Sequence, residues 1–512
     1  MHLSIAAPAT PPTAASELRR LPLVAALVTL IVHLVGNPHY GFYGDELYFI
    51  ICGFRPDWGY ADQPPLVPLV SAGTQVLGHS LIALRALPAL FAAASVYVTC
   101  LFVIEIGGGA FAQVLGATVT ACMPVLAAFG TKVSTDMPGL VLWPLMALLV
   151  ARIANGGDPR LWLATGAVFG VAANAKYSVF FYGTALIGGV AVTGLRRILA
   201  TPWLLAGAAA GALVALPSLI WQAIHGFPVL EMLSNQQRDV IAIHSPQGAI
   251  AQQVLITNPL LAPIWIVGLV YAFLTPGLRW IGWTYVLFEA AMIALHGRHY
   301  YSGDVYPIVI AVGALAVERT VHLRAARACI LAFVTVAAIM TVPFVLPVLP
   351  ESRLAGMIAA LKGATPVTVA AERHADAALT DNFAGMHGWG ELVAAVAGVY
   401  RSLPARQRAH AAILTKNFSE AAAIDFYGRT YGLPRALSGN NNYWIWGSRG
   451  YDGKVIVEVN LTCGPMFRSG RAAVARVHNP WALLSEQDIP ISVCYGLREP
   501  LATYWPRLKT YI

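Results

Sequence analysis

The sequence predicts an α-helical multi-pass membrane protein with about eleven transmembrane helices and a small C-terminal α/β domain outside the membrane. Three observations predict it. Of 512 residues, 57% are hydrophobic and only 11% charged, whereas a soluble domain carries about 25% charged residues. Apolar stretches close to spanning length recur up to about residue 350, separated by short polar breaks. From about Glu351 onward the composition becomes more charged and no further span is found.

Taken in order, residues 1–20 form a polar tail ending in Arg19-Arg20, expected in the cytoplasm. The run Leu21–Gly36 is longer than the usual apolar stretch of a signal peptide, and Asn-Pro-His-Tyr follows it in place of a small-residue cleavage site. It reads as a retained first span. The later spans are expected near 81–104, 110–129, 137–152, 161–175, 177–195, 202–224, 258–275, 280–296, 305–320 and 328–349. With the N-terminus inside, the inner loops collect Arg19, Arg20, Arg152, Arg160, Arg196, Arg197, Arg279, Arg319, Arg324 and Arg327. The outer loops hold scattered cations, such as Arg55, Lys132, Lys176, Arg238 and Arg298. That bias obeys the positive-inside rule. An odd number of spans then sets residues 351–512 outside, with residues 21–350 as the membrane domain and 37–80 as its first outer loop. The expected location is the cytoplasmic (inner) membrane. The net charge of +8 comes with no basic nucleic-acid-binding module, so nucleic acid is not an expected partner.

In the tail, "AAILTKN" reads as a buried strand, "SEAAAIDFYGRTYG" as a helix with Ser419 as N-cap and Gly432 as stop, and "KVIVEV" as a second strand. Cys463 and Cys494 could pair in an oxidising compartment or stay as separate thiols. Cys52, Cys100, Cys122 and Cys329 read as packing residues, and no metal-type cysteine spacing occurs.

This topology gathers the polar residues on the outer face. Asp45, Glu46, Asp57 and Asp62 lie in the first outer loop, "YGDELYFIICGFRPDWGYADQPPL". Asp136 in "STDMPGL" and Lys176 in "NAKYS" sit in very short breaks between apolar helices, where an ionised group needs a partner. His225, Glu231, Arg238, Asp239 and His244 follow, and "HGRHYYSGDVYP" adds His296, Arg298, His299, Tyr300, Tyr301 and Asp304. Loops are where charges ordinarily go, and interfacial aromatics such as Tyr43, Trp58 and Tyr60 are ordinary belt residues. The tight placement of Asp136 and Lys176, with the unusual length of the first loop, instead suggests a polar cavity at the interface. Such a cavity suits a substrate with an apolar tail and an anionic head. Lys176 and Arg298 could meet a phosphate, and a nearby carboxylate could serve as general base for an incoming hydroxyl or amine.

"YGDELYF", "DWGYADQPPL", "STDMPGL", "NAKYS" and "HYYSGDVYP", in this order, resemble the bacterial glycosyltransferase family 39 proteins. These are relatives of protein O-mannosyltransferases and of the aminoarabinose transferase of lipid A, with the GT-C fold. The segment 416–453 also looks like the outer domain of one bacterial branch. The resemblance implies a polyprenyl-phosphate-linked sugar donor, transfer on the outer face with inversion, and an envelope lipid, glycan or protein as acceptor. It puts the catalytic acids on Asp45, Glu46 and Asp136, with Asp45 as base. It implies a phosphate or donor site among Lys176, Arg298, Arg238, Gln63, Tyr60 and Tyr301. One position departs from the pattern. Many relatives carry a lysine before the Pro-Pro step, where this chain has Gln63, which donates hydrogen bonds but no charge. No cofactor is required by this reading. A divalent metal held by Asp62 with His225 or His244 is the one such option, and a hydrogen-bonded loop acid is the plainer reading of Asp62.

Two other classes compete. A transporter or flippase of a lipid-linked sugar would place polar groups near the midplane and commonly repeat its halves, and neither pattern occurs here. An inactive scaffold would be expected to lose the acids, yet Asp45 and Asp136 are present.

Overall fold

The structure, a computed structural model, describes residues 12–76, 78–240, 246–364 and 377–512. The chain folds into two compact units that do not follow chain order. One comprises Met1–Pro38, Ile82–Ile220 and Gln237–Val348; the other comprises His39–Leu81, Trp221–Gln236 and Leu349–Ile512.

The first unit is helical, and each expected apolar segment contains helix. Four helices among the described residues are long and apolar enough to cross a membrane alone: Leu81–Glu105, Pro202–Ile224, His299–Thr320 and Arg324–Val345. The pair Ala262–Leu274 and Pro276–Ala294 passes only together, and it is bent by 113° at the break. Arg20–Gly36, Ala110–Cys122, Gly139–Ala154, Leu161–Ala173 and Val179–Ala191 are shorter apolar helices. At 1.5 Å per residue, a 13-residue helix is only about 20 Å long, less than a hydrocarbon core of about 30 Å.

Burial separates centre from periphery. His299–Thr320 is 83% buried over its apolar window, whereas Arg324–Val345 is 17% buried and leaves Phe333, Val336, Ile339 and Met340 exposed. The central helix packs against Ala262–Leu274 through glycine on both sides. A Cβ on Gly268 would strike the Val309 carbonyl, and one on Gly313 would strike that of Ile264. Such small-residue packing lets membrane helices approach closely. Aromatic packing adds to the core, with Trp143 stacked on Tyr182 at 4.4 Å and edge-on to Phe288 at 5.3 Å.

The second unit is built on a mixed five-stranded sheet of order β2-β1-β3-β5-β4. Its strands are β1 (Ala411–Thr415), β2 (Leu437–Ser438), β3 (Val455–Val459), β4 (Phe467–His478) and β5 (Asp488–Leu497). β1 runs parallel to β2 and β3, and β5 runs antiparallel to β3 and β4. β1 and β3 are buried throughout, as their apolar runs require. Cys463 and Cys494 form a disulfide closing a separation of 31 residues.

Two local expectations change. The helix after β1 spans Phe418–Tyr427, and its N-cap is Asn417, not Ser419. Asn417 has the extended backbone of a cap, its Oδ1 accepts from the Glu420 N–H at 2.9 Å, and Glu420 in turn accepts from the Asn417 N–H. The first polar segment is also not a plain loop: Gly44–Gly53 and Leu66–Gly73 are helices. Asp45 and Glu46 occupy the first turn of the former, where carboxylates offset the helix dipole. Leu47 to Cys52 are all buried there. This segment packs against the α/β part of its own unit, with Tyr48 against Phe418 at 4.6 Å and Phe42 against Phe426 at 5.1 Å.

Candidate active site

The sequence-predicted site residues fall into two sets, one in each unit. In the first unit, the turn before Gly139–Ala154 carries Asp136 and the turn before Val179–Ala191 carries Lys176. Lys176 Nζ donates to Asp136 Oδ1 at 2.5 Å, with the two side chains 20% and 9% exposed. The ammonium also lies 4.0 Å from the Tyr301 ring centre and 5.5 Å from that of Tyr300, within cation–π range. Asp304 is buried, in electrostatic range of both Asp136 and Lys176. A Cβ on Gly139 would collide with its carboxylate. Arg298 Nη1 approaches the Tyr300 hydroxyl at 3.4 Å. The structure therefore brings Asp136, Lys176 and Tyr301 together and adds Asp304, which the sequence marks only as a residue of the same face.

In the second unit, Asp45 and Glu46 are neighbours with different tasks. The Glu46 carboxylate accepts from the Tyr43 N–H at 2.8 Å, so it caps its own helix. Asp45 bears on two other acids. Asp62 accepts from the Tyr48 hydroxyl at 2.9 Å and is pushed up to about 7, first by burial and further by the charge of Asp45. Glu486 is pushed up to about 8, first by burial, then by Glu420 and Asp45, while Asn417 donates to it at 3.3 Å. Glu420 is held at about 7 by burial, against hydrogen bonds from Asn460, Asn417 and Lys416. Asp45 thus stands among carboxyls that keep their protons near neutrality.

Gln63 is 1% exposed, and neither its amide oxygen nor its amide nitrogen has a hydrogen-bond partner among the described residues. An unpaired buried amide is costly, which marks this position for a ligand or a bound water. Tyr60 is fully buried, and its hydroxyl donates to the Cys52 carbonyl at 2.9 Å; it holds the loop.

For the metal option, Asp62 is engaged by Tyr48, and His225 stacks on Trp221 at 3.9 Å with Nδ1 2.8 Å from the Trp221 carbonyl. His244 and the side chain of Arg238 lie outside the described residues. Among the described residues, the one grouping of three metal-type donors is Glu458 with Cys463 and Cys494, and those two sulfurs are bonded to each other. No three-donor set forms around Asp62 among the described residues.

Sequence reasoning missed what anchors the Asp62 segment. Asn442 Oδ1 accepts from the Ala61 N–H at 2.6 Å, and the Asn442 N–H donates to the Tyr48 hydroxyl at 3.2 Å. Gln222 donates to the Tyr60 carbonyl at 2.9 Å. The run "GNNNYW" was the available signal, since three adjacent amides beside aromatics seldom serve a mere connector.

The architecture defines a class. Over 94% of this chain and 98% of the other, the structure matches the crystal structure of ArnT from Cupriavidus metallidurans in the apo state, with a TM-score of 0.57 and 15% identity. This is a membrane protein with the GT-C fold of glycosyltransferases. Residues 62–221, which contain Asp62, Gln63, Asp136 and Lys176, match the dolichyl-phosphate-mannose-protein mannosyltransferase family. A lesser likeness, TM-score 0.47 and 14% identity over 86% of this chain and 68% of the other, is to the Archaeoglobus fulgidus oligosaccharyltransferase in complex with Zn and sulfate. No curated protein sequence matches the chain significantly.

Proposed function

We propose that the protein is a membrane glycosyltransferase that moves a sugar from a polyprenyl-phosphate donor to an envelope lipid, glycan or protein acceptor, on the extracytoplasmic face of the inner membrane. Asp45 is the base. It takes the proton of the acceptor hydroxyl or amine as that atom bonds to the anomeric carbon. The bond from that carbon to the phosphate oxygen breaks on the opposite side, its electron pair leaves with the polyprenyl phosphate, and the configuration inverts. Lys176 and Arg298, with Arg238, are the cations for the departing phosphate. Gln63 supplies amide hydrogen bonds where relatives use a charged lysine. Tyr301 holds Lys176, Tyr60 and Glu46 hold the loop, and Asp136 orients Lys176.

The observation that carries this reading is the setting of Asp45. It opens the helix Gly44–Gly53 and bears electrostatically on Asp62 and Glu486, two buried acids raised to about 7 and about 8, so a carboxyl is held within a polar group of acids, the kind of side chain a general base needs. The Cys463–Cys494 disulfide supports the sidedness, because such bonds persist in oxidising compartments.

Mass spectrometry of lipid-linked sugars and envelope glycans is the test, comparing cells that lack the protein with cells carrying the wild type or Asp45→Asn. Loss of one glycan form, with accumulation of its polyprenyl donor, is expected in both the deletion and the variant. Unchanged glycans in the variant would remove Asp45 as base. A reporter fused after residue 512 is expected to read as extracytoplasmic, and a cytoplasmic readout would reverse the sidedness.

A further inference from the structure

The second unit contains an arginine cluster that the transfer chemistry does not use. A recess of about 410 Å³, its open mouth included, is lined by Ile51, Phe54, Arg55, Asp425, Arg429 and Arg435, among others. Three guanidiniums face one carboxylate, an excess of two positive charges. A fourth, Arg449, backs that carboxylate, lying 3.8 Å from Asp425 while Arg55 lies 4.0 Å from it. Asp425 is further occupied by the Ala436 N–H at 2.8 Å and the Tyr443 hydroxyl at 3.2 Å. Its capacity to neutralise the arginines is therefore already shared.

Two of these guanidiniums rest against aromatic rings. Arg55 lies over Trp446 at 4.2 Å, and Arg429 lies over Phe54 at 5.9 Å. Both Nη atoms of Arg449 are buried with no hydrogen-bond partner among the described residues. Burial, and then the like charge of Arg449, lower the pKa of Arg55. Four cations gather around one acid, two of them pinned on aromatic faces, and the charge is not balanced within the cluster.

We propose that this recess binds a phosphate group. A planar guanidinium presents paired donors that match phosphate oxygens, which makes arginine the side chain suited to this recognition. The positive excess of the lining, with Arg449 behind it, favours an anionic group. The apolar wall of Phe54, Leu433 and Pro434 suits the organic part attached to it. The phosphate can arrive free or on a lipid headgroup, and the proposal stands apart from the transfer reaction.

The test uses the full-length protein in detergent. Binding of inorganic phosphate and of short-chain phosphatidic acid is measured by calorimetry for the wild type, for Arg429→Gln/Arg435→Gln, and for Arg471→Gln/Arg476→Gln on β4. All four substituted arginines are exposed, so the variants are expected to fold. Saturable binding that weakens tenfold or more in the first variant, and is unchanged in the second, supports the site. Binding of both probes points to phosphate itself, and binding of phosphatidic acid alone points to a lipid headgroup. No saturable binding of either probe, or equal loss in both variants, overturns the proposal. Because Asp45 is untouched in these variants, glycan transfer is a separate readout that fails or survives independently.

Discussion

The two units handle buried carboxyls in opposite ways. In the helical unit, Asp136 is ionically paired to Lys176 in a setting of apolar helices. In the α/β unit, Asp62, Glu420 and Glu486 form no ion pair among the described residues; hydrogen bonds from Tyr48, Asn460 and Asn417 hold them, and they keep protons to about 7 or 8. The first solution spends a cation to keep an acid charged. The second holds its buried acids by hydrogen bonds, and burial raises their pKa toward neutrality. The first unit keeps a fixed ion pair, while the second contains acids that titrate near neutral pH.

That contrast can be broken in four ways. The largest effect is expected at Asp45: Asp45→Asn should lower turnover by about 10²- to 10⁴-fold, the usual contribution of a general base, with the protein still folded and membrane-inserted. Normal turnover would mean that the charged acid of the second unit is not its working group. Next is Lys176→Ala, which strands Asp136 and should destabilise the protein by about 3–5 kcal/mol, as for a broken buried pair. Lys176→Met combined with Asp136→Asn should recover most of that stability but not activity. If the single and double variants melt alike, the pair is not what holds those turns.

Third, Cys463→Ser should cost about 2–4 kcal/mol, since the bond constrains an unfolded loop of moderate length, and added reductant should reproduce the shift in the wild type. The smallest effect, about 1.4 kcal/mol per pH unit for a single group, is a pH slope. Asp62, Glu420 and Glu486 have folded values raised from near 4 to about 7, 7 and 8. Between those limits the folded state binds more protons than the unfolded one, so stability falls as pH rises from about 5 to 8 and then levels. Glu486→Gln should flatten the upper part of that slope in thermal unfolding followed by fluorescence. An unaltered slope would show that Glu486 does not titrate in that range.

Much of this was legible in the chain. Apolar runs announce helices wherever they are bounded by polar breaks, and β1 and β3 follow from "AAILT" and "VIVEV". Asp136 and Lys176 were each readable as a charge in need of a partner, because each sits in a short break between apolar helices; the structure pairs them with each other. Other features depend on distant parts of the chain. The helix Gly44–Gly53 was hidden because its buried residues find their partners in Phe418–Tyr427, far along the sequence. Asn417 displaced Ser419 as cap because backbone geometry, which residue preference alone does not reveal, made it the extended position. The arginine cluster was invisible for the same reason: Arg55, Arg429, Arg435 and Arg449 meet only once three separate segments have folded together.

The bond between Ala61 and Asn442 reaches across 381 residues. At a synthesis rate of about 5–20 residues per second, roughly 20–80 s pass between the emergence of one partner and the other. Through that interval the segment bearing Asp62 has no Asn442 to hold it. The anchor is thus made long after the segment it holds, and a chain stopped before residue 442 lacks it.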